Sequence, residues 1–448
     1  MTGPHVAFIR SYEDHMENQV DIIDRLVRRQ MFFIAEDIFT RLDDKSLRQC
    51  ELVSKSWYLV IRNGKIWKKN YEKEARQQPL FHRTLLQRGL HQLNNEDLLY
   101  KKLCRAKENV LNNWDSETYL KTTITIGEVN VVCLAMDAKR IVLGVSSCQS
   151  NPNSSILVYD SSTLERECVL MQPPTEGFIK HLQLLGELVI CSFYSQTIII
   201  WDLKTRQIVR QLNDNIDGGS VQVIFCVAHD WLISCFNISP DVLILSDRFD
   251  ARITVRRMRS PADMTIEKTE DFPNCKIEQL EADDNLFAVC LRVSQSCKLQ
   301  LRSRSHFQVI HEIEMTSALK WFSLQYDRLL TIERNPNNGK NLVKCWNIDD
   351  VFKKCSPSSE TRKSIDLVWR KLLDYDEDPI VFSNAFHLIF CKSCELVYLL
   401  NNSFGKENWG PLHAENKLVT SNAFQVVTVS SWPTQLVVRD FLIHPAPI

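Results

Sequence analysis

Few side chains in this sequence have the type and spacing that bond chemistry requires. Cys391 and Cys394 form the single tight cysteine pair, whereas a structural zinc site takes four ligands. No second pair follows at a suitable spacing, so we interpret both as buried thiols and predict no metal and no cofactor. The sequence also lacks the GxxxxGK[ST] phosphate loop, the GxSxG elbow of serine hydrolases and the HExxH helix of zinc proteases. These absences favour a binding protein over an enzyme.

Two arginines in the segment SDRFDAR, Arg248 and Arg252, are the candidates for binding an anionic group of a target. A guanidinium presents a planar fork of N–H donors that matches phosphate or carboxylate oxygens. The flanking apolar runs place both residues in a turn between two strands. The alternative is a solvated turn in which the arginines pair with neighbouring aspartates. Arg302 and Arg304 form a similar, weaker candidate.

The composition limits the class of partner and the compartment. Lys plus Arg number 54 and Asp plus Glu 55, which argues against a broad nucleic-acid-binding surface. No apolar run approaches the ~18 residues of a membrane span, and the charged N-terminal segment does not resemble a signal peptide. The fifteen cysteines are scattered through apolar runs and are interpreted as reduced thiols. We expect a cytoplasmic and/or nuclear protein without membrane contact.

The pattern of the chain changes near residues 112–116. Before this point apolar residues recur at helical spacing, as at Ile23, Leu26 and Val27, and glycine is rare. After it, short β-branched runs alternate with polar turns. We therefore divide the chain into an N-terminal segment with one short helix (1–31), two helical segments (32–75 and 76–115) and an all-β domain (116–448). The fold class is mixed, with a small all-α N-terminal region followed by an all-β domain.

The all-β part shows a repeat. Residues 182–212 have the pattern of one four-stranded propeller blade, in which the third strand ends in Trp201-Asp202. The same frame recurs with degenerate residues at spacings near the ~40–45 residues of a blade. The seven pairs are Tyr159-Asp160, Trp201-Asp202, Arg256-Arg257, Arg302-Ser303, Trp346-Asn347, Leu400-Asn401 and Arg439-Asp440. We predict a seven-bladed propeller whose last blade is completed by residues 119–126; two β-sandwiches are the alternative.

The helical front is too apolar for its length. The segment IAEDIFTRLDDKSLRQCELVSKSWY (34–58) and the following GKIWKK place apolar stripes and two tryptophans on short helices. Some forty residues cannot bury all of that surface alone. The segment must therefore pack on another domain, as an ordinary helical lid, or bind a partner helix in a groove.

This segment resembles an F-box, in particular that of the beta-transducin-repeat-containing F-box proteins, through its ELV-x-K-x-WY core and its G-x-x-WKK end. The similarity extends to NQVDIIDRLVRR (18–29), LLYKKLCRAKENVLNNW (98–114) and VVCLAMDAKRIVLG (131–144), and it weakens after about residue 270. An F-box followed by a WD-repeat propeller is a specific combination.

The resemblance implies a non-catalytic substrate receptor of an SCF-type ubiquitin ligase. The F-box (32–75) would bind the adaptor subunit of the cullin scaffold, and the propeller would bind a target protein. The residues implied in adaptor contact, or in shaping that surface, are Ile38, Leu42, Leu47, Val53, Trp57 and Trp67. For each of them intramolecular core is the alternative. The rival function is a WD-repeat-like scaffold that does not engage a cullin complex.

Three features depart from the family pattern. Phe33-Ile34-Ala35-Glu36 stands where an F-box usually opens with Leu-Pro. The N-terminal segment that dimerises these proteins is short here, which argues against self-association. The first blade carries Val131-Val132 and the insertion SSCQSNPNSS where phosphodegron contacts would be expected. We therefore carry over no degron-binding residue.

Overall fold

The structure is a computed structural model that divides into two compact units, residues 1–116 with 442–448, and residues 117–441. It describes residues 21–442 except for gaps at 86–95, 148–153, 214–219, 240–248, 349–364, 373–379 and 402–406 and shorter gaps of three residues or fewer. Arg248 and Cys394 lie outside the described residues. Among the helices that are described, none carries an apolar stretch long enough to cross a membrane.

The first unit is helical throughout its described residues. Its helices are α1 (Ile22–Arg28), α2 (Phe32–Thr40), α3 (Asp44–Cys50), α4 (Lys55–Asn63), α5 (Ile66–Gln77) and α6 (Glu96–Asp115). Three of them begin at a side chain that accepts a backbone N–H, which satisfies donors that the first turn leaves unpaired. These N-caps are Asp21, Asp43 and Ser54. The hydrogen bond from the backbone N–H of Ser46 lowers the pKa of Asp43 below its ordinary value.

Each of the six helices buries apolar side chains. Among the buried residues are Ile23, Phe39, Leu47, Ile61, Trp67, Leu103, Val110 and Trp114. Because helices of seven to twelve residues are marginal alone, this shared burial stabilises α1 to α5.

The second unit consists of strands that form seven four-stranded sheets. Sheet 1 contains β2 (Val129–Met136), β3 (Arg140–Ser147), β4 (Ser154–Asp160) and β5 (Arg166–Met171); sheet 2 contains β6 (Ile179–Leu185), β7 (Leu188–Phe193), β8 (Ile198–Asp202) and β9 (Gln207–Leu212). Sheet 3 contains β10 (Ser220–Ala228), β11 (Trp231–Ser239), β12 (Asp250–Met258) and β13 (Met264–Phe272); sheet 4 contains β14 (Lys276–Ala282), β15 (Leu286–Val293), β16 (Ser296–Ser303) and β17 (Val309–Met315). Sheet 5 contains β18 (Leu319–Gln325), β19 (Arg328–Arg334), β20 (Asn341–Asn347) and β21 (Asp366–Leu372); sheet 6 contains β22 (Ile380–Ser383), β23 (His387–Lys392), β24 (Leu396–Asn401) and β25 (Glu407–His413). Sheet 7 contains β26 (Asn416–Ser421), β27 (Gln425–Ser430), β28 (Thr434–Asp440) and β1 (Leu120–Gly127).

The seven sheets are the blades of a propeller, which confirms the predicted fold class. Each blade is an antiparallel meander, and the first strands of blades 1 to 5 contact one another in chain order, as do those of blades 6, 7 and 1. The N-terminal strand β1 pairs with β28 from Leu120 opposite Asp440 to Gly127 opposite Thr434. The predicted closure of the last blade by residues 119–126 is therefore confirmed. All seven predicted dipeptides lie in the third strand of their blades.

Apolar side chains fill the spaces between neighbouring blades. Trp201, for example, belongs to a buried cluster that spans blades 1 and 2. Other clusters span blades 2 and 3, 3 and 4, 4 and 5, and 7 and 1. Because both faces of a blade are covered in this way, its strands are apolar at successive positions, as in Ile198–Trp201.

Candidate partner-binding surface

The helical unit leaves several large apolar side chains in solvent. Exposed side chains on α2, on α4 and in the turn between α3 and α4 form what we call the apolar set: Phe32, Phe33, Ile38, Leu52, Val53, Tyr58 and Leu59. Leu52 is 80% exposed and Val53 is 57% exposed. Ile22 and Leu98 are exposed as well, and because single exposed apolar residues are normal whereas many in one small unit are not, the apolar set is the candidate surface for a partner.

Local backbone geometry explains why Leu52 and Val53 cannot turn inward. The backbone N–H groups of these two residues donate to Gln49 O and Cys50 O, at 3.0 and 3.1 Å, in the last turn of α3. Ser54 then caps α4 by accepting the N–H of Trp57 at 3.3 Å. The turn is thus held between two helix ends, and its side chains project into solvent.

Helix α4 has one buried and one exposed face. Val60 and Ile61 lie in the core, whereas Tyr58 and Leu59 are about two-fifths exposed. Tyr58 also lines a cleft of about 230 Å³ with Arg62 of α4 and residues of α5 and α6. The exposed face therefore offers apolar surface beside a cleft with basic lining.

The six residues that the resemblance implied fall into three groups. Ile38 and Val53 are exposed and available to a partner. Leu42 and Trp57 are half-buried. Leu47 and Trp67 lie in the core, at 0% and 4% exposure, so they can shape a binding surface without being part of it.

Both tryptophans are fixed by carboxylates of their own chain. Trp57 Nε1 donates to Asp21 Oδ2 at 2.6 Å, and its ring packs edge-on against Phe39 with centroids 5.3 Å apart. Trp67 Nε1 donates to Glu51 Oε1 at 2.8 Å. Lys101 of α6 forms an ion pair with the same Glu51 and lies over the Trp67 ring. The indoles thus support the surface that the apolar set presents.

Sequence reasoning missed Phe32, Phe33, Leu52, Tyr58 and Leu59 as surface residues. Their apolar type alone does not distinguish core from surface. A helical-wheel comparison of α4 was the available signal for Leu59, because it lies on the face opposite Ile61.

The candidate anion site on the propeller differs from the prediction. Arg252 lies in strand β12, not in a turn, because the ladder between β11 and β12 extends to Ile238 opposite Asp250. Its Nε donates to Asp271 Oδ1 at 2.6 Å. The predicted turn position of Arg252 is therefore wrong, and its ionic partner lies on the neighbouring strand.

Part of the helical unit matches a known protein family. The F-box-like family model matches residues 34–73, from within α2 to within α5. The apolar set, apart from Phe32 and Phe33 at the start of α2, lies inside this match.

Two curated relatives combine the same two domain types in their names. The chain is 30% identical over 162 residues to "F-box and WD repeat domain-containing 11-A" of Danio rerio, covering 33% of this chain and 28% of that protein. It is 28% identical over 149 residues to "F-box/WD repeat-containing protein lin-23" of Caenorhabditis elegans, covering 25% of this chain and 22% of that protein. The chain thus matches about a quarter of the length of these relatives.

Among solved structures, the chain is similar to the beta-propeller domain of Cps50 (Swd1) from Myceliophteria thermophila. The TM-score is 0.49 at 10% identity, with 71% of this chain and 98% of that chain covered. The propeller assignment rests on the seven sheets of the chain itself.

An F-box-like match, a seven-bladed propeller and relatives named for both domains together define the class. The chain carries an F-box-like segment ahead of a seven-bladed propeller, and it is similar to proteins named as F-box/WD-repeat proteins. The resemblance stated from the sequence is confirmed at this level.

Proposed function

We propose that this chain is a substrate-recognition subunit of an SCF-type cullin-RING ubiquitin ligase. In this proposal the helical unit binds the adaptor subunit of the cullin scaffold, and the propeller binds a target protein. The observation that carries the proposal is the exposure of Leu52 and Val53 within the segment that matches the F-box-like model. A capped turn that holds two large apolar side chains in water is costly unless a partner covers them.

The proposed receptor does no bond chemistry. Its contribution is to hold the target close to the ubiquitin-conjugating enzyme, which raises the effective concentration of target lysines at the thioester. This role favours a rigid helical unit. The contacts of Glu51 with Trp67 and Lys101 link its helices to one another. We place such a subunit in the cytoplasm and/or nucleus, where the cullin machinery would meet its targets.

The test is recovery of adaptor and cullin by tagged full-length chain. Leu52→Asp and Val53→Asp place a charge in the proposed contact without touching the core, so adaptor recovery should fall about tenfold or more. Ile266→Asp is the matched control, since Ile266 is 64% exposed on β13 of the propeller. It should leave recovery unchanged.

Adaptor recovery that is equal for the wild type and both F-box variants would contradict the proposal. That result would favour a WD-repeat-like scaffold that does not engage a cullin complex. Thermal unfolding of each variant must match the wild type, so that lost binding cannot be attributed to lost folding.

A further inference from the structure

Blade 4 contains a cluster of metal-ligating side chains. The sulfurs of Cys290 on β15 and Cys297 on β16 are 3.2 Å apart, and both cysteines are at most 5% exposed. A carboxylate oxygen of Glu278 on β14 completes the cluster, and the three ligand atoms all lie within 4.8 Å of one another. We propose that Glu278, Cys290 and Cys297 bind a thiophilic divalent cation. Two cysteine sulfurs and a carboxylate oxygen are ligands that Zn²⁺ takes in proteins, so we assign Zn²⁺.

The backbone directs Glu278 toward the two thiols. Strands β14 and β15 pair Ile277 with Leu291 and then Gln279 with Cys290, so Glu278 is the extra residue of a β-bulge. A bulge changes the direction of the side chain that it carries and is common beside functional sites. Side chains alternate between the two faces of a regular strand, so removing the bulge would change the face on which Glu278 lies.

The strand register favours a bridging cation over a disulfide. Cys290 lies opposite Leu299, and Cys297 lies opposite Arg292, so the two cysteines are diagonal neighbours. Diagonal pairs have Cα atoms about 7–8 Å apart, whereas a disulfide requires less than about 7 Å. Two sulfurs on tetrahedral zinc are about 3.8 Å apart, given Zn–S bonds of about 2.3 Å, and small side-chain rotations reach that separation.

The charges of the site balance when a divalent cation is present. Two thiolates, the Glu278 carboxylate and the Arg292 guanidinium, which pairs with Glu278 at 3.0 Å, sum to minus two. A divalent cation makes the assembly neutral, which matters because both thiols lie in the apolar cluster between blades 4 and 5.

The site is also accessible from solvent. Glu278 retains 21% side-chain exposure, which leaves a route for the ion and for a fourth ligand from solvent.

The experiment is a Co²⁺ titration of reduced, metal-free, full-length chain. We expect one equivalent to produce a sulfur-to-cobalt charge-transfer band and the visible bands of tetrahedral cobalt, both removed by Zn²⁺. Cys290→Ser and Cys297→Ser should abolish the bands. Glu278→Gln, at a partly exposed position that tolerates the change, should weaken binding about tenfold or more.

Cys275→Ser is the matched control, since Cys275 is a half-buried thiol just before β14, and it should bind cobalt like the wild type. Zn²⁺ should also raise the melting temperature of the wild type more than that of Glu278→Gln. Bands that persist in both serine variants would overturn the proposal. So would the absence of bands in the wild type, or recovery of the two cysteines as a disulfide from protein prepared with zinc.

Discussion

Arg439 Nη1 donates a hydrogen bond of 3.1 Å to the hydroxyl of Thr428, across the second and third strands of blade 7. Arg439 stands opposite Val426, so its acceptor lies two residues further along β27. The guanidinium is 3% exposed and also lies over the ring of Tyr119. An arginine here occupies the position that tryptophan holds in the Trp-Asp pair of blade 2.

The same diagonal contact recurs in two other blades. In blade 5, Trp346 Nε1 donates to Thr331 Oγ1 at 3.1 Å, and in blade 3, Arg256 Nη1 donates to Ser234 Oγ at 2.6 Å. Each acceptor is again two residues beyond the residue opposite the donor. Indole and guanidinium are both flat N–H donors, which explains how a blade keeps its geometry after losing the tryptophan.

This contact predicts a measurable coupling in blade 7. Thr428→Val removes the acceptor and Arg439→Met removes the donor, and each should lower the free energy of unfolding by about 1–3 kcal/mol, since each change breaks a buried hydrogen bond. The double variant should cost less than the sum, by about 0.5 kcal/mol or more. Denaturant unfolding of the four proteins measures the cycle, and additive losses would show that the hydrogen bond is unimportant.

A second prediction concerns the hydrogen bonds between blades 3 and 4. Asn237 is fully buried; its Nδ2 donates to Ile277 O at 2.7 Å, and its Oδ1 accepts Ile277 N–H at 2.8 Å. Asn237→Ala removes the partner of both the backbone N–H and the backbone C=O of buried Ile277 and should cost about 2–5 kcal/mol. Asn213→Ala, at an exposed site, is the control for thermal unfolding. Equal melting temperatures for the two variants would show that these hydrogen bonds do not stabilise the contact between the blades.

The raised pKa of Glu281 predicts how the free energy of unfolding depends on pH. Burial raises the pKa of this carboxyl from 4.5 to about 8; Asp283 adds to the rise, and the Leu324 N–H and the Ser323 hydroxyl oppose it. Between these pKa values the folded chain holds a proton that the unfolded chain releases, so the free energy of unfolding falls as pH rises from about 4.5 to about 8.

Glu281→Gln removes this titration while keeping an acceptor for Leu324 N–H, which now lies 2.5 Å from Glu281 Oε2. Urea unfolding across the window should give a flatter pH profile for Glu281→Gln than for the wild type. Glu267→Gln, at an exposed glutamate, should retain the slope. Parallel profiles for wild type and Glu281→Gln would disprove the assignment.

Asp21 makes two contacts that substitution can separate. Its Oδ1 caps α1 by accepting Ile23 N–H at 2.7 Å, and its Oδ2 accepts the Trp57 indole N–H at 2.6 Å. Asp21→Ser keeps a cap and loses the indole contact, so it should cost about 1.5–3 kcal/mol, the range for a hydrogen bond to a charged acceptor. Asp21→Ala should cost about 0.5–2 kcal/mol more through the cap. If the two variants unfold at the same denaturant concentration, the cap contributes nothing.

The sequence alone determined the features that follow from a repeating pattern. The dipeptide spacing predicted all seven third strands. Because a ring of repeats must close, that repeat also predicted that residues 119–126 complete the last blade.

Tertiary structure decided which side chains meet and which stay in water. Trp67 is buried and contacts Glu51, just after α3, and Lys101 of α6, while Leu52 is exposed in the turn that follows α3. Glu278 meets Cys290 only through a bulge, a one-residue shift in strand register. Register and helix packing arise from contacts between distant segments, so residue type and local spacing cannot specify them.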